Sequence, residues 1–146
     1  MAMSLRKILL VEDNPNDVEL ILEALEEYHV ANSIEVAVDG EEALDYLYRR
    51  GKFAGRSPGN PLLILLDLKL PKVDGLEVLK IIKTDNQLKL MPVVMLSSSS
   101  EEKDLLECYT LGVNAYVVKP VAFHDFIEAI KGLGLFWVII NETPLG

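Results

Sequence analysis

Along the chain, short contiguous runs of Val, Ile and Leu alternate with segments in which apolar residues recur at helical spacing. Residues 7–11 form the first run, which ends in Glu12-Asp13. Asn14-Pro15 then predicts a helix start, since Asn caps and Pro fits the first turn. Val18, Ile21, Leu22 and Leu25 follow at i, i+3, i+4 and i+7, one buried face. Ile34, Val36 and Val38 alternate, predicting a strand over 34–38 near a sheet edge. Asp39-Gly40 turns the chain into a helix over 41–49, and 51–60 reads as a polar, Gly/Pro-rich loop. Residues 62–66 are apolar on both faces and stop at Asp67, as a central parallel strand would. A loop over 70–75 precedes a helix over 76–83. A fourth strand over 92–96 runs into four serines and a helix near 101–111, with Ser99 and Glu102 at capping-box spacing. Residues 115–118 make a fifth strand, broken by Lys119-Pro120, and Phe123, Phe126, Ile127 and Ile130 stripe a last helix.

Five strands alternating with five helices predict an α/β fold: an open, doubly wound parallel sheet with helices on both faces, in three layers. At 146 residues, half of them apolar, one domain is expected, large enough to bury a core without staples. We divide the chain into an N-terminal arm or expression remnant (1–6), the folded domain (7–133) and a tail (134–146) with no output domain. A lone cysteine, Cys108, excludes an internal disulfide framework and points to a reducing compartment. The longest apolar runs fall far short of the ~20 residues that span a bilayer, and no secretory signal is present. The expectation is therefore a soluble, cytoplasmic protein without a membrane partner.

Charge sharpens this. The formal net charge is −9, and no Lys or Arg lies between Lys7 and Arg49. Phosphate contacts need a basic footprint, so nucleic acid is not an expected partner. Arg49, Arg50, Lys52 and Arg56 flank a glycine-rich loop and read as solvated; Cys108 reads as an inert core thiol. His29 and His124 lack metal-ligand spacing, and no dinucleotide or phosphate-loop fingerprint is complete.

In such a sheet, ligands sit beyond the carboxyl ends of the strands. Those ends carry Glu12-Asp13, Asp67, Ser97 and Lys119. Neighbouring strands lie about 4.8 Å apart, and two carboxylates ~5 Å apart repel by roughly 3 kcal/mol at an effective dielectric near 20. Three together call for a cation, and a few hard oxygen ligands suit Mg²⁺ better than zinc. Lys119 and Ser97, with Mg²⁺, would cover the oxygens of a transferring phosphoryl group. One carboxylate is then the nucleophile, and Asp67, ending the central strand, is the best placed.

Leu10-Val11-Glu12-Asp13-Asn14, Leu65-Leu66-Asp67-Leu68-Lys69-Leu70-Pro71-Lys72-Val73-Asp74-Gly75, Leu96-Ser97-Ser98 and Tyr116-Val117-Val118-Lys119-Pro120 resemble the receiver domain of two-component response regulators, from about residue 7 to 132. The resemblance implies the strand order 2-1-3-4-5 of the flavodoxin-like, CheY-like fold, for which a chemotaxis receiver is a standard example. It implies that Asp67 is the phosphoacceptor, that Asp13 binds the metal directly and Glu12 mostly through water, and that Lys69 offers its backbone carbonyl. Lys119, Ser97 and Ser98 would bind the phosphoryl group, Ser97 and Tyr116 would switch, and Lys119–Pro120 would be cis. Lys69 and Ser99 are expected to tune the lifetime of phospho-Asp67.

The function implied is a stand-alone phosphorylation switch. It takes a phosphoryl group from a histidine kinase or histidine phosphotransfer protein and signals by binding a downstream protein. Its turnover is on itself, so it is not classed as an enzyme. A scaffold that is never phosphorylated is the alternative. An aspartyl-phosphate phosphatase of the haloacid dehalogenase type wants a second Asp where Lys69 stands. The 51–60 loop and the tail are similar to receivers associated with phytochrome-type kinases. Phe136 and Trp137 predict either packing on the last helix or a homodimer contact.

Overall fold

Parallel strands need long crossovers, and this chain supplies them as helices: β1 (Ile8–Val11), α1 (Pro15–Glu27), β2 (Ile34–Ala37), α2 (Gly40–Tyr48), β3 (Leu63–Asp67), α3 (Gly75–Thr84), β4 (Val93–Ser97), α4 (Glu102–Thr110), β5 (Ala115–Val118) and α5 (Phe123–Gly132). The computed structural model describes residues 6–30, 32–99 and 101–134. Among the described residues all four strand pairings are parallel and the order is β2-β1-β3-β4-β5, as the resemblance implies. Phe136 and Trp137, with the choice between packing and dimerisation, lie outside the described residues.

Strand side chains alternate between faces, and the two apolar cores follow that alternation. Ile8, Leu10, Leu63, Leu65, Val94, Leu96 and Val117 pack with Ile21 and Leu25 of α1 and Phe126 and Ile130 of α5. Leu9, Val11, Ile64, Leu66, Val93 and Met95 pack against α2, α3 and Cys108 of α4. Thus α1 and α5 cover one face and α2 to α4 the other. Every residue of β1, β3 and β4 is buried, whereas β2 is half-buried at its edge. Among the described residues no helix is long and apolar enough to cross a membrane.

Three local expectations need amending. The Ser99–Glu102 capping box does not form: α4 begins at Glu102, and the Ser99 hydroxyl instead accepts from the Glu101 amide at 3.2 Å. The Ser99 carbonyl is meanwhile held by the Tyr116 hydroxyl, which keeps Ser99 in the loop rather than at a helix cap. The basic group after α2 is not simply solvated. The Arg56 guanidinium stacks 4.1 Å from the Tyr46 ring centroid and donates to the carbonyls of Tyr46, Ser57 and Gly59. Arg50 and Lys52 pair with Asp45 and Glu42. A long loop with few apolar anchors needs such internal donors to satisfy its carbonyls. Finally, the loop over 51–60 opens with a 3₁₀ turn, Gly51–Phe53.

Lys83 fastens the edge opposite the strand ends. Its ammonium donates to the Met91 carbonyl at 3.0 Å, the Asn114 side-chain oxygen at 2.8 Å and the Lys89 carbonyl at 3.3 Å, and burial lowers its pKa. Lys83→Met keeps the stem and deletes the donors, so these acceptors lose a charged partner. The expected cost is about 1–3 kcal/mol, checked by urea denaturation. An unchanged midpoint would show that water replaces the ammonium at no cost.

Candidate functional site

Register and alternation together assemble the site. Val11 pairs with Leu66, so Glu12 and Asp67 stand level at the ends of adjacent strands. Counting in twos from Leu10, Leu65 and Val117 places Glu12, Asp67 and Lys119 on the α1 face of the sheet. Counting from Met95 places Ser97 on the opposite face, where Tyr116 also packs. The sequence pattern therefore divides its candidates between a charged group on one side and a hydroxyl pair on the other.

On the first side, one carboxylate oxygen each from Glu12, Asp13 and Asp67 lies within 4.8 Å of the others. Glu12 and Asp67 are buried and Asp13 is exposed. Both oxygens of the Glu12 carboxylate are engaged. Its Oε2 accepts from the Asn14 amide at 3.2 Å and its Oε1 pairs with the Lys119 ammonium at 2.5 Å. Burial pushes the Asp67 carboxyl up to about 7; the Lys119 ammonium opposes that rise and the Glu12 charge adds to it. For Lys119, burial disfavours the ammonium, but Glu12, Asp67 and Asp17 outweigh it and the pKa lies above the ordinary lysine value. Three oxygen donors, with no His or Cys in the group, match a hard divalent cation that keeps part of its water. Such a cation would offset the burial, and the smaller repulsion from Glu12, that hold the Asp67 pKa up.

Two loops aim these groups. Asn14 caps α1, its side chain accepting from the amides of Asn16 and Asp17 at 2.9 and 3.2 Å, and this fixes the turn through Asp13. The loop from Leu68 to Asp74 carries Lys69 and folds back so that the Gly75 amide donates to the Leu68 carbonyl at 3.1 Å. A Cβ on Gly75 would stand 2.5 Å from the Leu68 carbonyl oxygen and closer still to that of Asp67. Asp74-Gly75 is thus a close approach of backbone to backbone. The same loop is braced by the β2–α2 turn, where the Gly40 amide donates to the Pro71 carbonyl and Lys72 pairs with the buried Asp39. The Lys69 side chain itself is exposed.

On the second side, the Ser97 hydroxyl accepts from the Ser99 amide at 3.0 Å, and the half-buried Tyr116 donates its hydroxyl to the Ser99 carbonyl at 2.8 Å. The β4–α4 loop is thereby tied to both β4 and β5. Ser98 is exposed and lines a groove of about 400 Å³ with Asp17, Leu20 and Lys119. The Lys119 amide donates to the Ser97 carbonyl at 2.7 Å, and the Lys119–Pro120 peptide bond is cis. The Cys108 thiol is buried and its pKa is pushed to about 11, an inert group.

One member of the charged group was not singled out from sequence. Asp17, in the first turn of α1, brings a carboxylate oxygen to 3.1 Å from the Lys119 ammonium. Three residues after a capping Asn, an acid reads as an ordinary helix-start residue. Only the packing of α1 across the strand ends reveals its partner.

The arrangement sets the buried Asp67 carboxylate between the acidic Glu12–Asp13 pair and the Lys119 ammonium, on loops that backbone contacts hold in place. Residues 8–131 match the response regulator receiver domain family. The bacteriophytochrome response regulator AtBRR is 58% identical, with a TM-score of 0.88 over 96% of this chain and all of that one. The phosphorylated cyanobacterial phytochrome response regulator RcpA is 45% identical, with a TM-score of 0.76 over 92% of this chain and 95% of that one. Response regulator Rcp1 of Synechocystis sp. is 40% identical over 94% of this chain and 92% of its own length. Its Mn²⁺-bound structure superposes with a TM-score of 0.75, covering 94% of this chain and 97% of that one. Acidic pocket, sheet order and likeness over nearly the whole described length agree: the chain belongs to the response regulator receiver domain family.

Proposed function

We propose that this protein is a phosphorylation switch of a two-component relay, with Asp67 as the phosphoacceptor. The observation that carries the reading is the Asp67 carboxylate, buried at the end of the central strand, between the Glu12–Asp13 pair and the Lys119 ammonium at 3.3 Å. An Asp67 oxygen forms a bond to phosphorus while the phosphorus–nitrogen bond of a donor phosphohistidine breaks. The imidazole leaves with the electron pair and takes a proton from solvent. With acetyl phosphate as donor, the bond to the acetyl oxygen breaks and acetate leaves.

Asp13, Asp67 and the Lys69 carbonyl would hold a divalent cation, which we take to be Mg²⁺, with Glu12 reaching it mostly through water. Its commitment to Lys119 and to the Asn14 amide supports that division. When bound, the cation supplies positive charge opposite the equatorial phosphoryl oxygens. Lys119 supplies a second cation on the other side. Ser97 and Ser98 donate to the phosphoryl group. Because the Ser97 hydroxyl and the Tyr116 hydroxyl already meet at Ser99, a pull on Ser97 is passed to Tyr116 and the α4–β5–α5 surface. That is a bias on one two-state loop, read by a downstream protein. The donor is a histidine kinase or histidine phosphotransfer protein, and the location is cytoplasmic.

Incubation with acetyl phosphate and Mg²⁺ tests this directly. Intact mass should show one added phosphoryl group, dependent on Mg²⁺ and absent in EDTA. Steady release of phosphate without a modified chain would favour a phosphatase, and neither outcome would favour a scaffold.

Lys69 stands two residues past Asp67 with an exposed side chain, suited to shield the acyl phosphate from water in line with the phosphorus–oxygen bond. Ser99 braces the same pocket from the β4–α4 loop. Lys69→Ala is expected to shorten the phospho-Asp67 half-life by about threefold, equivalent to about 0.7 kcal/mol of barrier. Decay of the modified mass after donor removal gives the answer; an unchanged half-life would remove Lys69 from this role.

A further inference from the structure

The Asp17 carboxylate has no place in the scheme above, yet it lies nearer the Lys119 ammonium than Asp67 does, 3.1 Å against 3.3 Å. Its position has a local cause. Asn14 caps α1, so Asp17 is the third helical residue, where an acidic side chain ordinarily reaches back to the amide of the capping residue. That amide is already taken by Glu12 Oε2. The Asp17 side chain turns instead toward the strand ends, and the alternation along β5 has placed Lys119 on that same face. An ammonium has three donors, and in this structure three carboxylates, Glu12, Asp17 and Asp67, surround it.

We infer that Asp17 is a positioning residue that competes with Asp67 for Lys119 and thereby restrains phosphoryl transfer to Asp67. The inference rests on the reading of Asp67 as phosphoacceptor and Lys119 as its phosphoryl-binding cation. An incoming phosphoryl group carries about 1.5 to 2 negative charges, and Lys119 must turn toward it from a position shared with α1. Attraction to Asp17 opposes that turn. The Asp17 side chain is 36% exposed against 10% for Asp67, so solvent weakens its hold on the ammonium. Asp17 therefore slows the transfer without blocking it. Glu12, only 1% exposed, remains the fixed anchor throughout.

The test uses the full chain with acetyl phosphate at saturating Mg²⁺, with phosphorylation followed by intact mass. Asp17→Asn is expected to be modified about threefold faster than wild type at low ionic strength. The advantage should fade near 1 M salt, where the screening length is about 3 Å. Asp17→Glu, which keeps the charge, should stay at the wild-type rate. In the Lys119→Gln background, followed over longer incubation, Asp17→Asn should lose most of its advantage. An Asp17→Asn rate at or below wild type overturns the inference. So does an undiminished gain in the Lys119→Gln background, which would mean direct repulsion of the donor. A wild-type chain that accepts no phosphoryl group overturns the phosphoacceptor reading itself, so the two failures are distinct.

Discussion

Asp67→Asn is expected to abolish modification by acetyl phosphate, lowering its rate by about 10³-fold or more, a loss of at least about 4 kcal/mol of barrier stabilisation. The amide has nearly the shape of the carboxylate and still offers Lys119 an acceptor oxygen, so the fold is kept while the proposed nucleophile is lost. Two melting curves separate this from unfolding. Mg²⁺ at tenfold its dissociation constant should stabilise the wild type by about 1.4 kcal/mol, a rise of about 3–6 °C. Asp67→Asn, with one of three carboxylates gone, should show a smaller rise. Without Mg²⁺ the order should reverse. The folded-state pKa of Asp67 is raised to about 7, so the folded chain binds its proton more tightly than the unfolded chain does. Stability then falls as pH rises from the ordinary carboxylate range to about 7 and levels off above it. Asparagine does not pay that charge penalty, and near pH 8 in EDTA the variant should melt above wild type. Full modification of Asp67→Asn would move the acceptor elsewhere and sink the assignment.

Gly75→Ala is expected to cost about 3 kcal/mol or more and to weaken Mg²⁺ binding in whatever fraction still folds. The reason is a close approach: a Cβ at Gly75 meets the carbonyl oxygens of Leu68 and Asp67, which are backbone and cannot swing aside. Overlap there pushes α3 away from the end of β3 and shifts the loop that carries the Lys69 carbonyl. Large costs of this kind come from overpacking and backbone displacement. Gly40→Ala should act similarly from the other side of the loop, since its Cβ would meet the backbone of Val73. Gly55→Ala is the control, because nothing lies within 4 Å of the added carbon. Denaturant midpoints and Mg²⁺ titrations report both effects. A Gly75→Ala protein with wild-type stability would show that the loop has slack this geometry denies it.

The element order, the capping of α1 at Asn14 and the burial of β3 were all legible in the chain, because each depends on neighbours within one turn or on period-two and period-3.6 patterns. The set Glu12, Asp13, Asp67 and Lys119 was legible for a related reason. Strand ends in a parallel sheet share one edge, so charged residues that stop apolar runs must gather there. The β4–α4 loop was less readable. Ser99 with Glu102 has the spacing of a capping box, but the hydroxyl of Tyr116, from a strand later in the chain, holds the Ser99 carbonyl. The role of Arg56 is hidden for the same reason: its carbonyl partners and the Tyr46 ring come together only when the loop closes.

By itself, then, the amino-acid sequence determined the layers, the strand ends and the residue types that collect at them, since local periodicity and turn chemistry act over a few residues. The tertiary structure alone decided which carboxylates surround Lys119 and how tightly the loop after Asp67 is clamped. Those outcomes depend on register and on the packing of α1 across the sheet. They join groups about a hundred residues apart, such as Asp17 and Lys119, and no spacing along the chain encodes an ion pair formed across that distance.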